Sequence, residues 1–386
     1  LLLLVLGAVC SLNAKTRKCL YRVTVTGKRA ECPVVIRDVP EWAQSAVVSL
    51  GGVHRIPSQL DRELDELVFV SDISGSQNFQ VLYSSDKRVF KKRVHAQMWL
   101  KNPDKTLRAV GCASLEKNDM YHKLHHHGPA FESEYAAYRI YFDNKQTVDT
   151  YGKKRPQLEL AETMWYPSDE QLSRGYGHDN LRVFGSVGVG TLKGWDAEKR
   201  KMVHITDFKR REARILADGP IRTVVEMRVE GWRYGGREIT MTSRYILYAG
   251  HGDVQVENRI EGDFRGLVFT TGVMKMAESE VCKNDNVIAA FGRDFPENDT
   301  VKWERESVGL AVAVPQRQIV SQTDDKTSYL FQLTPDARGR IDYAFEMIWR
   351  KSEWLKDRSD TECVLGLMKS VGAARTPVVV SRIRQF

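Results

Sequence analysis

The sequence lacks the features that mark redox, zinc-binding and membrane-embedded proteins. Its six cysteines include no C-x-x-C pair, which excludes a zinc knuckle or a thioredoxin-like dithiol. Beyond the apolar opening Leu1 to Cys10 there is no long hydrophobic run, and a spanning helix needs roughly 20 apolar residues, so no membrane span is expected. No G-x-S-x-G elbow, H-E-x-x-H pair or phosphate loop occurs, which removes serine-hydrolase, zincin and P-loop chemistry. Proline is sparse, 12 in 386 residues, and no Pro/Ser-rich linker, low-complexity tract or internal repeat divides the chain. Charge of one sign is also missing. The 58 basic and 50 acidic residues leave a net +8 spread along the sequence. No dense Lys/Arg stripe or nucleic-acid module is present, so nucleic acid is not an expected partner. A diffuse positive field suits an acidic oligosaccharide or polysaccharide.

What is present begins with Leu1 to Cys10, then Ser11-Leu12-Asn13-Ala14 and the basic Lys15-Thr16-Arg17-Lys18. This reads as the apolar part of an N-terminally truncated secretory signal, residues 1–14, cut after Ala14. Cys10 follows Val9 and has Gly7 three places before it, a poor lipobox. The protein is therefore expected to be exported to the periplasm or the extracellular space. Removal of the leader leaves Cys19, Cys32, Cys112, Cys282 and Cys363. Cys19 and Cys32 flank a strand-turn-strand pattern, and pairing or free thiols are both open there.

Period-two alternation dominates the remainder. Thr223 to Glu230, Glu238 to Tyr248 and Val254 to Ile260 are separated by Tyr234-Gly235-Gly236-Arg237 and Ala249-Gly250-His251-Gly252-Asp253, the pattern of an antiparallel meander. Further runs lie at Leu267–Met276, Val308–Val314, Ser328–Leu333, Asp342–Trp349 and Val378–Ile383. Others are at Tyr21–Thr26, Glu66–Val70 and Val94–Leu100, with one helix expected near Asp360–Ser370. Many strands and few helices predict an all-β, mostly antiparallel protein, with residues 15–386 forming one large domain around a continuous core.

The segment Tyr121 to His178 breaks this pattern. Four of the nine histidines fall at His122, His125, His126 and His127, followed by Gly128-Pro129-Ala130-Phe131-Glu132-Ser133-Glu134. A metal site would explain adjacent imidazoles, although neighbours on a strand point to opposite faces. A catalytic or binding loop would use one or two as proton carriers, and a solvated polar loop is the third reading. Arg139 lies between Tyr138 and Tyr141, a pattern suited to a carboxylate held bidentately beside aromatic rings. Equally, Tyr138 faces the core and Arg139 faces water. Tyr151-Gly152-Lys153 follows, and His178-Asp179 precedes the glycine run Gly185 to Gly190. Both His127 and His178 interrupt strand-rich sequence and are expected to line one pocket.

These motifs, His126 to Glu134, Ala137 to Asp143, Asp149 to Lys153, His178-Asp179 and Asp218-Gly219-Pro220-Ile221-Arg222, resemble the domain-of-unknown-function family 4861, found chiefly in polysaccharide-degrading bacteria. The resemblance covers most of the chain after the leader. It implies a large β supersandwich similar to galactose mutarotases and several polysaccharide lyases. Members sit beside uronide-degrading enzymes, and a dehydratase of ulvan oligosaccharides is related. Joined to the residues, it suggests β-elimination at a uronic acid, by a lyase or a dehydratase. His127, Tyr138, Tyr151 and His178 are then the candidate proton carriers, and His126, Arg139 and Lys153 the candidate substrate ligands. No cofactor is expected, and a divalent metal stays open. A non-catalytic carbohydrate-binding protein and a glycoside hydrolase are the alternatives.

Overall fold

The computed structural model describes residues 16–116, 120–296 and 300–385. The leader and Cys10 lie outside them. The protein is all-β and antiparallel, with one substantial helix, as the alternation predicts.

Its largest layer is a nine-stranded sheet in which the meander Arg222–Tyr234, Arg237–Tyr248 and Val254–Gly262 lies centrally. Strand Arg340–Trp349 joins the meander to Glu306–Ala313 and Val287–Asp294 on one side. Arg210–Asp218 and Cys112–Glu116 extend it on the other. Alternate residues on each strand turn to opposite faces. Tyr245, Leu310, Phe345 and Met347 enter the main core, where Phe345 meets Tyr138 of a facing sheet at 5.3 Å between ring centroids. On the reverse face Ala289, Ala311 and Ala344 meet Val364, Leu367 and Val371 of the helix Asp360–Ala373. Small side chains there let the helix backbone come close. The helix starts at a capping box, Ser359 with Glu362, which satisfies its first free N–H groups. Where no helix covers that face, Arg214, Glu226, Arg244 and Glu257 stand opposite one another across successive strands. Cross-strand charge pairs of this kind keep an uncovered sheet wet and soluble.

Two five-stranded sheets face the large one. In the first, Ala136–Ile140 lies between Ala130–Ser133 and Val148–Gly152, with His178–Asp179 at the edge. All residues of the three longer strands are buried. Strands covered on both faces have no reason to alternate in polarity, which is why this region escapes the period-two pattern.

The N-terminal sheet has its own buried cluster, including Val25, Val34, Phe69 and Phe79, so the core is several clusters and not the continuous one expected. Strand Val379–Gln385 pairs with Lys18–Arg37, bringing the two ends of the described chain into one sheet. Cys19 and Cys32 lie on that single strand of 20 residues rather than across a turn. At ~3.3 Å per residue they are on the order of 40 Å apart. They do not pair with each other, since a disulfide tolerates only about 7 Å between Cα atoms.

Candidate functional site

Arg139 occupies the middle of a buried strand, and register decides its partners. Its Cα partner on the next strand is Asp149, while Tyr151 on that strand pairs with Asp179. The guanidinium donates from Nε (3.0 Å) and Nη2 (2.7 Å) to Asp149 Oδ2 and from Nη2 to Asp179 Oδ2 at 2.8 Å. Its Nη1 donates to the Tyr166 hydroxyl at 3.1 Å, and Nη2 lies 2.7 Å from the Tyr141 hydroxyl. The cation sits 4.5 Å from the Trp165 ring centroid and 4.8 Å from that of Tyr141, close enough for cation–π attraction. Every nitrogen of the expected carboxylate clamp is thus committed to the protein itself.

Two carboxylates around one guanidinium leave an excess of negative charge. Burial, then the nearby Asp149, push Asp179 well above the ordinary carboxylate range despite Arg139 and the Trp165 Nε1–H bond of 3.0 Å. Paired carboxyl groups in a dry site behave this way, because both cannot ionise cheaply. Asp179 therefore holds its proton more tightly than an ordinary carboxyl, and it sits at the edge of a cleft.

That cleft, about 370 Å³, opens over Arg139 and Asp179 and is walled by Tyr121, Tyr141, Tyr166 and Phe184. His127 enters it from a short turn with left-handed backbone, φ 41° at His126 and 69° at His127. The ring stacks on Tyr121 at 3.8 Å. Its Nδ1 is 2.9 Å from the Tyr121 carbonyl, which only accepts, so Nδ1 carries the hydrogen and Nε2 the lone pair. Burial holds this imidazole down at about 4, so it is neutral near pH 7. Lys145 and Arg182 line the same cleft. Arg182 is tied to Asp294 at 2.7 Å, whereas Lys145 makes no ion pair among the described residues.

The other expected site residues lie outside this cleft. Tyr138 alternates to the opposite face from Arg139. Its hydroxyl donates to the Gly252 carbonyl (2.7 Å) and accepts from the Met347 N–H (3.1 Å), and full burial holds its pKa well up. Tyr151 and Lys153 share the Asp149 face but are covered by the chain that follows. The Tyr151 hydroxyl is 2.8 Å from both Glu159 and the Gly177 carbonyl, and Lys153 pairs with Glu132 at complete burial. His126 is buried, with Nε2 3.3 Å from the Gln97 amide nitrogen. The His178 ring points away from the Asp179 carboxyl, with Nδ1 2.6 Å from the Asp179 backbone carbonyl, and packs on Trp303 and Trp349, with Nε2 3.4 Å from Glu306. His127 and His178 therefore do not share a pocket, because consecutive residues on one strand face opposite ways. Among the described residues no group of three or more His, Cys, Asp or Glu is arranged to hold a metal ion. Lys145, Tyr121, Tyr166 and Asp179 line the cleft without having been among the expected site residues, Asp179 having been singled out only as the neighbour of His178. Tyr121 and Lys145 flank the His cluster in sequence, whereas Tyr166 and Asp179 lie about 40 and 50 residues beyond it.

Comparison with curated proteins gives no match. Among solved structures, a glycosyl hydrolase family 38 protein from Enterococcus faecalis is similar at a TM-score of 0.48 and 8% identity, over 95% of this chain and 47% of that one. An alpha-mannosidase from Enterococcus faecalis V583 is similar at a TM-score of 0.47 and 8% identity, over 95% and 46%. The chain spans about half the length of these two proteins. A family profile matches residues 31–365, and the chain belongs to that family, described as domain of unknown function (DUF4861).

Proposed function

We propose that the protein is an exported carbohydrate-active enzyme and that the cleft at His127 takes a uronic-acid-containing oligosaccharide for β-elimination. The observation that carries this reading is the neutral His127 imidazole, with its Nε2 lone pair, in a tyrosine-walled cleft that also holds Lys145, which has no ion pair among the described residues, and Asp179, whose carboxyl burial pushes well above the ordinary range. Lys145 neutralises the substrate carboxylate, which makes the C5 proton more acidic. His127 Nε2 accepts that proton. The C5 electron pair forms the C4=C5 double bond as the C4–O bond breaks, and Asp179 protonates the departing oxygen, water or sugar. Tyrosine faces supply flat apolar walls for the ring.

Asp143 also lines the cleft. A carboxylate pair with Asp179 supports hydrolysis as the second reading. Incubation with uronate oligosaccharides separates the outcomes. An unsaturated, ultraviolet-absorbing product is expected. Saturated fragments would replace elimination by hydrolysis, and affinity without turnover would make the cleft a binding site.

A further inference from the structure

A second cavity, about 600 Å³, opens between the N-terminal sheet, the loop Gly250 to Asp253 and the helix Asp360–Ala373. None of the residues lining it lines the cleft at His127. Its floor is polar and buried. His251 is held on both sides, Nδ1 2.8 Å from Asp253 Oδ1 and Nε2 2.7 Å from the Glu31 carbonyl. Asp253 and Glu346 are 4% and 8% exposed, yet Oδ2 of the first and Oε2 of the second have no hydrogen-bond partner. Gly252 makes room for this floor, since a Cβ there would sit 3.0 Å from Glu346 Oε1. Burial, then Asp253, raise the Glu346 carboxyl to about 8. The floor therefore offers an O–H donor as well as open acceptor oxygens.

The rim has the opposite character. Lys28, Arg29, Arg358 and Lys369 line the cavity, and none of the four forms an ion pair among the described residues. Trp354 stands at the same mouth, edge-on to Tyr135 at 5.1 Å. A bare inorganic anion would match the rim but meet the Asp253 carboxylate below. A simple cation would be repelled at the rim. A ligand that carries a negative charge at one end and hydroxyl groups at the other satisfies both, and a ring with an apolar face fits beside an indole.

We propose that this cavity is a second carbohydrate site that binds an acidic sugar residue, with its charge on the cationic rim and its hydroxyls on Asp253 and Glu346. The site stands independently of any reaction in the cleft, and it gives a long acidic chain a second point of attachment.

The test is isothermal titration of the full chain with D-glucuronate, glucose and inorganic sulfate. Glucuronate should bind, and both glucose and sulfate should bind at least about tenfold more weakly, each lacking one half of the match. The double variant Arg29→Ala/Lys369→Ala removes two cations of the rim and should weaken glucuronate about tenfold. Glu346→Gln should weaken glucuronate and glucose alike. Lys145→Ala, which alters only the cleft, should leave this binding in place. Sulfate binding as tightly as glucuronate would reduce the site to a charge patch and overturn the proposal. So would glucuronate binding that is lost in Lys145→Ala and untouched by the rim variants, or no glucuronate binding at all.

Discussion

Replacing Arg139 by lysine keeps the charge and tests whether this residue holds substrate or holds the protein. The guanidinium reaches four oxygen-bearing partners, Asp149, Asp179, Tyr141 and Tyr166, from three nitrogens in one plane. An ammonium has a single nitrogen with three hydrogens, so at least one of the four loses its donor. A buried polar atom left without a partner costs about 1–3 kcal/mol, and the lost stacking on Trp165 and Tyr141 costs about 1 kcal/mol more. Arg139→Lys should therefore lower stability by about 2–4 kcal/mol, and Arg139→Ala, which leaves two carboxyl groups uncompensated, by about 3–5 kcal/mol. Urea unfolding followed by tryptophan fluorescence measures both as a fall in the midpoint. A lysine variant with wild-type stability that no longer binds or turns over uronate oligosaccharide would refute this account and restore Arg139 as a carboxylate clamp.

His127→Ala should reduce turnover about 10²- to 10⁴-fold with little change in affinity, read from kcat and KM on a uronate oligosaccharide. Because burial keeps the His127 imidazole at about 4, the acid limb of kcat/KM should fall near that value and not near the ordinary 6.5. Lys145→Ala should raise KM as the substrate carboxylate loses its partner, and steady-state kinetics with added salt should reproduce the trend. The fully buried Lys153–Glu132 pair predicts that Lys153→Ala costs about 3–5 kcal/mol of stability, measurable by denaturant unfolding, with no specific effect on turnover in the fraction that folds. Asp179 is more easily protonated in the folded chain than in the unfolded one. Its contribution to stability is thus present below the ordinary 3.8 and declines as pH rises toward the folded value. Asp179→Asn should remove that decline from thermal unfolding curves recorded from about pH 4 upward.

The parts of the fold that could be read from the sequence are those in which one face of a strand meets core and the other meets water. The meander from residue 222 to 262 shows this directly, with Val225, Met227 and Val229 in the core and Glu226, Arg228 and Glu230 on the reverse face, and its strand limits fall within a few residues of the expected ones. A helix was also expected near Asp360–Ser370, and it runs Asp360–Ala373 behind a capping box at Ser359. Residues 130 to 152 carry no such signal, because their strands are covered on both sides and their polar groups are satisfied by each other. Sequence there showed an unusual density of reactive side chains but not the sheet that organises them.

The candidate site was legible as a neighbourhood and not as a constellation. Arg139 and Asp149 are ten residues apart and Asp179 thirty beyond, and only antiparallel register brings the three together. Alternation alone says that one of His178 and Asp179 faces the cleft and the other does not, but choosing between them requires knowing which side of the sheet is open. The same holds in the histidine run, where left-handed backbone at His126 and His127 sends one ring beneath Trp165 and the next onto Tyr121. A run of identical residues thus yields one buried ring and one available base. The distinction rests on two φ angles, and two φ angles leave no mark in a string of three histidines.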